Sequence, residues 1–486
     1  MLRTLTLAVL LAWLPAAHAA LPQPVSQLMA ASNMPEDAIG VLVLRGDVAL
    51  VSHLAERAMQ PASTMKLVTT LVGLEQLGPV FRSRTELRTS AEVTGAHLKG
   101  DLVLRGGADA DLTGEVLTTM LRALRNQGVK HIEGRLVLDR QLFNPARTDS
   151  APPFDESPEA YYNVIPDALL VNKNMLLLDL RSTSAGVQVN AQPALHRVVV
   201  QSNMTLIDAP CASWEDGWKQ PEIVRERSGK IRVVLQGTYP KNCVASNSMN
   251  VLDRHDYVDR LVRLQWHALG GTITGATVEG SFEAGSRLLA EHVSRPLPEV
   301  IRDINKPSDN ALARTVFLSL GSLEADTVAG SRPLPANSTN PAETTFARSD
   351  LAVRTWMRSK GINDAGLVMD NGSGLSRTEK ISPLQLAGLL KAGLGSKWAP
   401  EFMASLPIVG VDGTMRRRLK DSPAFERARM KTGTLKNVTA LAGYVPDANG
   451  QLCVVVAMVN SELAGDGRGR AVLDALVDWV ARSNIP

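Results

Sequence analysis

The chain has 486 residues, of which 44% are hydrophobic and 21% charged, enough apolar sequence to build more than one buried core. The formal net charge is +3 and aromatic residues make up 4%; with basic residues scattered, the stacking platforms and dense basic stripes of nucleic-acid binders are missing, which excludes nucleic acid as a partner. The histidines show no His-x-x-x-His spacing and the cysteines no Cys-x-x-Cys, so neither a metal nor another cofactor is expected.

Arg3, the apolar run from Leu5 to Leu14 and the small-residue motif Ala17-His18-Ala19 give residues 1–20 the pattern of a signal peptide, cleaved near Ala19/Ala20. That run is about ten residues long and no later one reaches the roughly 18 that a transmembrane helix needs, so an exported chain without a transmembrane anchor is expected. Residues 38–51, "AIGVLVLRGDVALV", read as two strands joined at Gly46-Asp47. A helix follows, with Leu67, Leu71 and Leu74 on one face and Gly78-Pro79 as its stop.

From about 85 to 290 short strands dominate, with one helical stretch, "EVLTTMLRALRNQGV"; this reads as an insertion of one or two small domains. Within it Cys211 and Cys243 lie in polar, turn-rich sequence between strands and are candidate disulfide partners in an oxidising compartment. Cys453, inside "LCVVVAMV", reads as a small buried strand residue. A long helical pattern returns at "LPEVIRDINKPSDNALARTVFLSLG", interrupted by Pro307. Residues 325–345, without periodicity, read as a surface loop or a locally disordered stretch. After further helices, "RARMKTGTLKNVTALAGYVPDANGQLCVVVAMVN" reads as consecutive antiparallel strands and "GRAVLDALVDWVARS" as a terminal amphipathic helix.

Three short stretches invite chemistry. In "PASTMK", Ser63 either caps the helix or is a nucleophile: a helix start favours negative charge at Oγ, and the i,i+3 spacing puts the Lys66 amine on the same face as a base. Lys66 can act so at neutral pH only if burial or a nearby cation lowers its proton affinity. Lys431-Thr432-Gly433 opens a strand; it is a surface edge with a bulge, or the edge that pairs an extended peptide while Lys431 and Thr432 hold a terminal carboxylate and Gly433 permits close approach. Ser308-Asp309-Asn310 is a turn or cap, or a relay in which Ser308 passes a proton to a leaving amine and Asn310 bonds Lys66 and a substrate amide, with Asp309 turned away to shape the turn.

Together and in this order, Ser-x-x-Lys, Ser-Asp-Asn and Lys-Thr-Gly form the signature of penicillin-binding proteins and class A β-lactamases. Half the chain separates Lys66 from Ser308. With "YYNVIPDALLVNKN", "HVSRPLPEVIRDINKPSDN" and "MDNGSGLSRTEKISP", the chain resembles the D-alanyl-D-alanine carboxypeptidase/endopeptidase family of low-molecular-mass class C penicillin-binding proteins. The resemblance implies an α+β, multi-domain fold: a β-lactamase/transpeptidase-like domain (21–88 plus 288–486), its antiparallel sheet flanked by helices, with inserted domain II (89–175 plus 256–287) and β-rich inserted domain III (176–255). It implies a penicillin-sensitive periplasmic enzyme acting on peptidoglycan stem peptides and D-Ala-diaminopimelate cross-links through an acyl-enzyme on Ser63, with β-lactams as covalent inhibitors. Lys66, Ser308 and Asn310 would be catalytic, Lys431, Thr432, Gly433 and Thr434 would bind substrate, and the N–H groups of Ser63 and Thr434 would form the oxyanion hole. Asp370, Gly372, Ser373 and Gly374 resemble family positions near the cleft and equally fit a tight turn; Gly410 to Thr414 read as structural.

A β-lactamase is the nearest alternative. Class A enzymes place an asparagine four residues after their deacylating glutamate, and none of Glu324, Glu343, Glu379, Glu401 or Glu426 has one. A non-catalytic wall-binding scaffold is the other alternative, disfavoured because every motif residue is intact. The sequence leaves the assembly open, a homodimer included.

Overall fold

The structure, a computed structural model, describes residues 20–146, 153–335 and 342–484; the expected signal peptide lies almost wholly outside them. Its centre is an antiparallel sheet in the order Val48–His53, Ile39–Arg45, Leu452–Asn460, Val438–Pro446, Arg429–Leu435. The Val438–Pro446 and Leu452–Asn460 strands are buried along nearly their whole length, which is why they read as continuous apolar runs. Alternate residues point to opposite faces, and each face has its own helical cover. Leu441, Val445 and Val455 pack with Val25 and Met29 of α1 (Gln23–Ala31) and with Leu476 and Val480 of the C-terminal helix Arg468–Arg482. Ala440, Ala442, Tyr444 and Val456 face a larger core with Leu67 and Leu71 of α2 (Lys66–Leu77).

Helices α3 (Gly114–Asn126) and α4 (Arg254–Ala268) belong to the inserted segment. Its first sheet runs Thr277–Glu279, Leu136–Asp139, Leu102–Gly107, Arg84–Thr89, Arg287–Val293. The expected borders at 88 and 288 therefore cut two strands that pair with each other along the sheet edge. The crossing lies at Ser83 and Ser294, where the Ser83 N–H donates to Ser294 Oγ at 3.0 Å. Partners two hundred residues apart leave no local pattern from which such borders can be read.

Residues 176–255 form a three-stranded sheet (Val187–Gln192, Leu176–Ser182, Val244–Met249) and a second sheet around Ile231–Pro240. Cys211 and Cys243 are bonded, S–S 2.00 Å. Leu178, Leu180, Val233 and Tyr239 share one continuous core with Leu104, Leu117, Tyr257 and Trp266, so the two expected inserted units are built on a common interior.

The interrupted helical pattern resolves into α5 (Leu297–Asn305) and α6 (Asn310–Leu320). The expected loop after them starts differently: Leu323–Asp326 and Gly330–Pro333 pair as a hairpin. Asp326 Oδ1 accepts the N–H groups of Val328 and Ala329 at 2.9 and 2.6 Å, and Gly330 supplies the left-handed φ of +84°, so turn chemistry without hydrophobic alternation makes the hairpin. Residues 336–341 lie outside the described chain, and Thr345–Ser359 is α7.

Candidate active site

Ser63 sits in a short 3-10 turn, Ala62–Met65, that runs directly into α2. Its side chain makes no capping bond, so the structure does not use it as a cap. Instead, its Oγ lies 3.0 Å from Lys66 Nζ. Lys66 is fully buried, and its Nζ also donates to Asn310 Oδ1 at 2.6 Å and to the Ser373 carbonyl at 2.5 Å. A neutral amine has two N–H groups and one lone pair; with the two carbonyl-type acceptors taking the hydrogens, the lone pair is left for the Ser63 hydroxyl.

Its surroundings disfavour the ammonium form. Burial pushes its pKa well below that of an ordinary lysine, the Lys431 and Arg314 charges push the same way, and Asp309 and Glu379 oppose them. Burial is thus the first cause and the Lys431 charge the second.

Lys431 lies on the Arg429–Leu435 strand, at one edge of the central sheet. It too is fully buried, and burial brings its pKa down to about 7. Its Nζ donates to Ser308 Oγ at 2.9 Å and to the Thr432 carbonyl at 2.8 Å. Ser308 therefore faces Lys431 across the cleft. Ser308 holds φ at +67° and Ala62, beside Ser63, at +45°; left-handed non-glycine residues of this kind are costly and cluster at functional sites.

Asp309 points away from Lys66: Oδ1 caps α6 through the Leu312 N–H at 2.9 Å, and Oδ2 pairs with Lys173 at 2.5 Å. Asn310 opens α6, and its Nδ2 donates to the Tyr162 carbonyl at 3.0 Å. One turn on, buried Arg314 donates to the Val164 carbonyl at 3.0 Å.

On the edge strand, Thr432 Oγ1 donates to Thr414 Oγ1 at 2.7 Å, giving Thr414 of the "GVDGT" stretch a contact with a motif side chain. A Cβ at Gly433 would stand 2.6 Å from Pro61 O and 3.0 Å from the Ser63 nitrogen, so only glycine lets the strand pass this close to the Ser63 backbone. Thr434 is exposed beside it.

The Asp370–Gly374 loop enters the site through its backbone, which sequence reading of side chains does not reach. Gly372 and Gly374 adopt φ of +70° and +81°, and between them the Ser373 carbonyl is turned onto Lys66. The paired glycines were the one local sign of it.

The sheet, with the Ser63 helix start laid against its edge strand, has the architecture of the β-lactamase/transpeptidase-like serine hydrolases, here with extra domains. Residues 21–483 match the D-Ala-D-Ala carboxypeptidase 3 (S13) family; the chain belongs to that family and is a serine-type D-Ala-D-Ala carboxypeptidase. It is 27% identical over 432 residues to the D-alanyl-D-alanine carboxypeptidase DacB of Haemophilus influenzae, covering 87% of this chain and 84% of that protein. It is likewise 27% identical to the D-alanyl-D-alanine carboxypeptidase of Actinomadura sp. (strain R39), covering 86% of this chain and 76% of the relative. Penicillin binding protein 4 (dacB) from H. influenzae superposes with a TM-score of 0.77 at 24% identity, over 94% of this chain and 99% of that one. Its complex with a β-lactam gives 0.71 at 25%, over 93% and 97%.

No described helix is long and apolar enough to cross a membrane.

Proposed function

We propose that Ser63 is the nucleophile of a penicillin-sensitive DD-peptidase acting in the periplasm on peptidoglycan stem peptides and their D-Ala-diaminopimelate cross-links. The observation that carries this is the 3.0 Å contact of Ser63 Oγ with an amine whose other two neighbours are acceptors. The Lys66 lone pair takes the Ser63 proton as Oγ attacks the penultimate D-alanine carbonyl. The N–H groups of Ser63 and Thr434 receive the oxyanion, a contribution worth about 3–4 kcal/mol of barrier when one such donor is lost. Ser308, hydrogen-bonded to Lys431, relays the proton taken up by Lys66 to the leaving amine, returning Lys66 to its neutral form, while Lys431 and Thr432 hold the terminal carboxylate and Asn310 a substrate amide. Water then resolves the ester. A β-lactam presents the same carbonyl and carboxylate and acylates Ser63 with slow release. Residues 1–20 act as the cleaved export signal.

The test of the substrate is direct. Incubation with a D-Ala-D-Ala-terminated pentapeptide releases free D-alanine, and incubation with cross-linked muropeptide cleaves the dimer. Rapid penicillin turnover with neither product would instead mark a β-lactamase, and no acylation at all a scaffold.

The electrostatics give a pH signature. Acylation requires neutral Lys66, so its rate rises with pH through the Lys66 pKa. The Lys431 charge lowers that pKa; Lys431→Gln removes it, the pKa rises, and the acidic limb of the penicillin acylation profile moves to higher pH. An unmoved limb would assign the depression to burial and Arg314 alone.

A further inference from the structure

Glu379 lies outside all three motifs and is almost completely buried. Three consecutive backbone N–H groups converge on its Oε1: Asp370 at 3.2 Å, Asn371 at 3.0 Å and Gly372 at 2.8 Å. The next residue in that loop is Ser373, whose carbonyl accepts from Lys66, and the one after is Gly374, packed on the Ser63 backbone. We propose that Glu379 is a positioning residue for acyl transfer: an anionic anchor that folds the Asp370–Gly374 loop so that the Ser373 carbonyl fixes the Lys66 amine.

Such an anchor suits the loop's geometry. Two left-handed glycines and a carbonyl forced inward leave three amides pointing at Glu379, the Gly372 bond buried and the other two partly so. Amides that are buried need an acceptor, and one carboxylate oxygen serves all three. Further ties hold the loop: Thr69 Oγ1, one turn along α2 from Lys66, donates to the Gly372 carbonyl at 2.6 Å, Ser373 Oγ donates to Asn371 Oδ1 at 2.6 Å, and Arg314 Nε donates to Ser373 Oγ at 3.3 Å. Glu379 Oε2 is buried with no hydrogen-bond partner among the described residues.

Burial raises the Glu379 pKa and the three amide hydrogen bonds lower it; as the carboxylate it adds a charge that a glutamine acceptor would not. Lys66, Lys431 and Arg314 bring three buried basic groups together, and Glu379 is the fully buried acid among them. The other acids facing the cluster are Asp309, on the turn before α6 and paired with Lys173, and Asp370, on the loop itself. Glu379 thereby favours the proton on Lys66 and offsets part of the push from Lys431 and Arg314, keeping the amine basic enough to take the serine proton.

The inference rests on Lys66 being the base, so Lys66→Met and Ser63→Ala serve as controls: normal acylation by either would overturn that reading before Glu379 is considered. With the controls inactive, penicillin acylation is followed against pH in Glu379→Gln and Glu379→Ala, beside thermal melts. Glu379→Gln keeps one acceptor oxygen, folds as wild type, acylates more slowly on the plateau and has its acidic limb moved to lower pH, because the removed anion no longer favours the ammonium. Glu379→Ala lets the loop relax; displacing a positioned group by about 1 Å costs roughly 100-fold, and a loss of that order is expected in the folded protein. If Glu379→Ala does not fold, Glu379→Gln decides by itself. A wild-type plateau and limb in Glu379→Gln, or losses in either variant that merely track the folded fraction, would overturn the proposal.

Discussion

Ser63→Ala is expected to eliminate covalent labelling by penicillin and to lower D-alanine release about 10⁴-fold or more, the scale of removing the nucleophile from a serine hydrolase. The same variant should melt as the wild type does. Had Ser63 been a helix cap, its loss would cost about 1 kcal/mol of stability, but the side chain bonds no backbone N–H and the Lys66 amine keeps Asn310 and Ser373 as partners. Intact-mass spectrometry after penicillin treatment, read with a thermal melt, separates the two roles. A labelled alanine variant would place the nucleophile elsewhere, and a marked loss of stability would show that the hydroxyl also holds the turn.

Gly374→Ala is expected to reduce acylation at least about 100-fold without touching a side chain of the three motifs. At φ +81°, a Cβ would stand 1.9 Å from the Ala62 carbonyl oxygen and 2.7 Å from the Ser63 nitrogen. These are backbone atoms that cannot swing aside. The loop must retreat, taking the Ser373 carbonyl off Lys66 and disturbing the N–H proposed for the oxyanion hole. The left-handed backbone adds about 1–2 kcal/mol for any residue with a Cβ. Gly366 is the matched control: its φ is +76°, and an added Cβ would meet only the Ala58 methyl at 3.6 Å. Gly366→Ala should show the stability loss and keep its acylation rate. Equal kinetic losses in both variants would refute the steric account.

What the sequence disclosed and what it hid divide along a physical line. Ser63, Lys66, Asn310 and Lys431 work through side chains, and their types at those spacings carry the information. The carbonyls of Ser373, Tyr162 and Val164 are as important to the geometry, yet every residue has a carbonyl. Only the glycines flanking Ser373 hinted that its backbone was turned to a special use. The central sheet was legible because its strands are contiguous apolar runs joined by short turns. The edge pairing of Arg84–Thr89 with Arg287–Val293, and the shared interior of the inserted segment, depend on contacts between distant stretches. Which of burial and a nearby cation lowers the Lys66 pKa more was hidden for the same reason: burial, the larger cause, is a property of the packed fold.

The hydrogen bonds onto α6 bear on engineering. Its first turn is held from the inserted segment by the Tyr162 carbonyl on Asn310, the Val164 carbonyl on Arg314 and the Lys173 ammonium on Asp309. Excising that segment to obtain a minimal enzyme would leave an amide, a buried guanidinium and a carboxylate without these partners beside Lys66. A truncated design must therefore rebuild these bonds from new sequence, since the segment that looks like an accessory in the chain order supplies hydrogen-bond partners to the residues around Lys66.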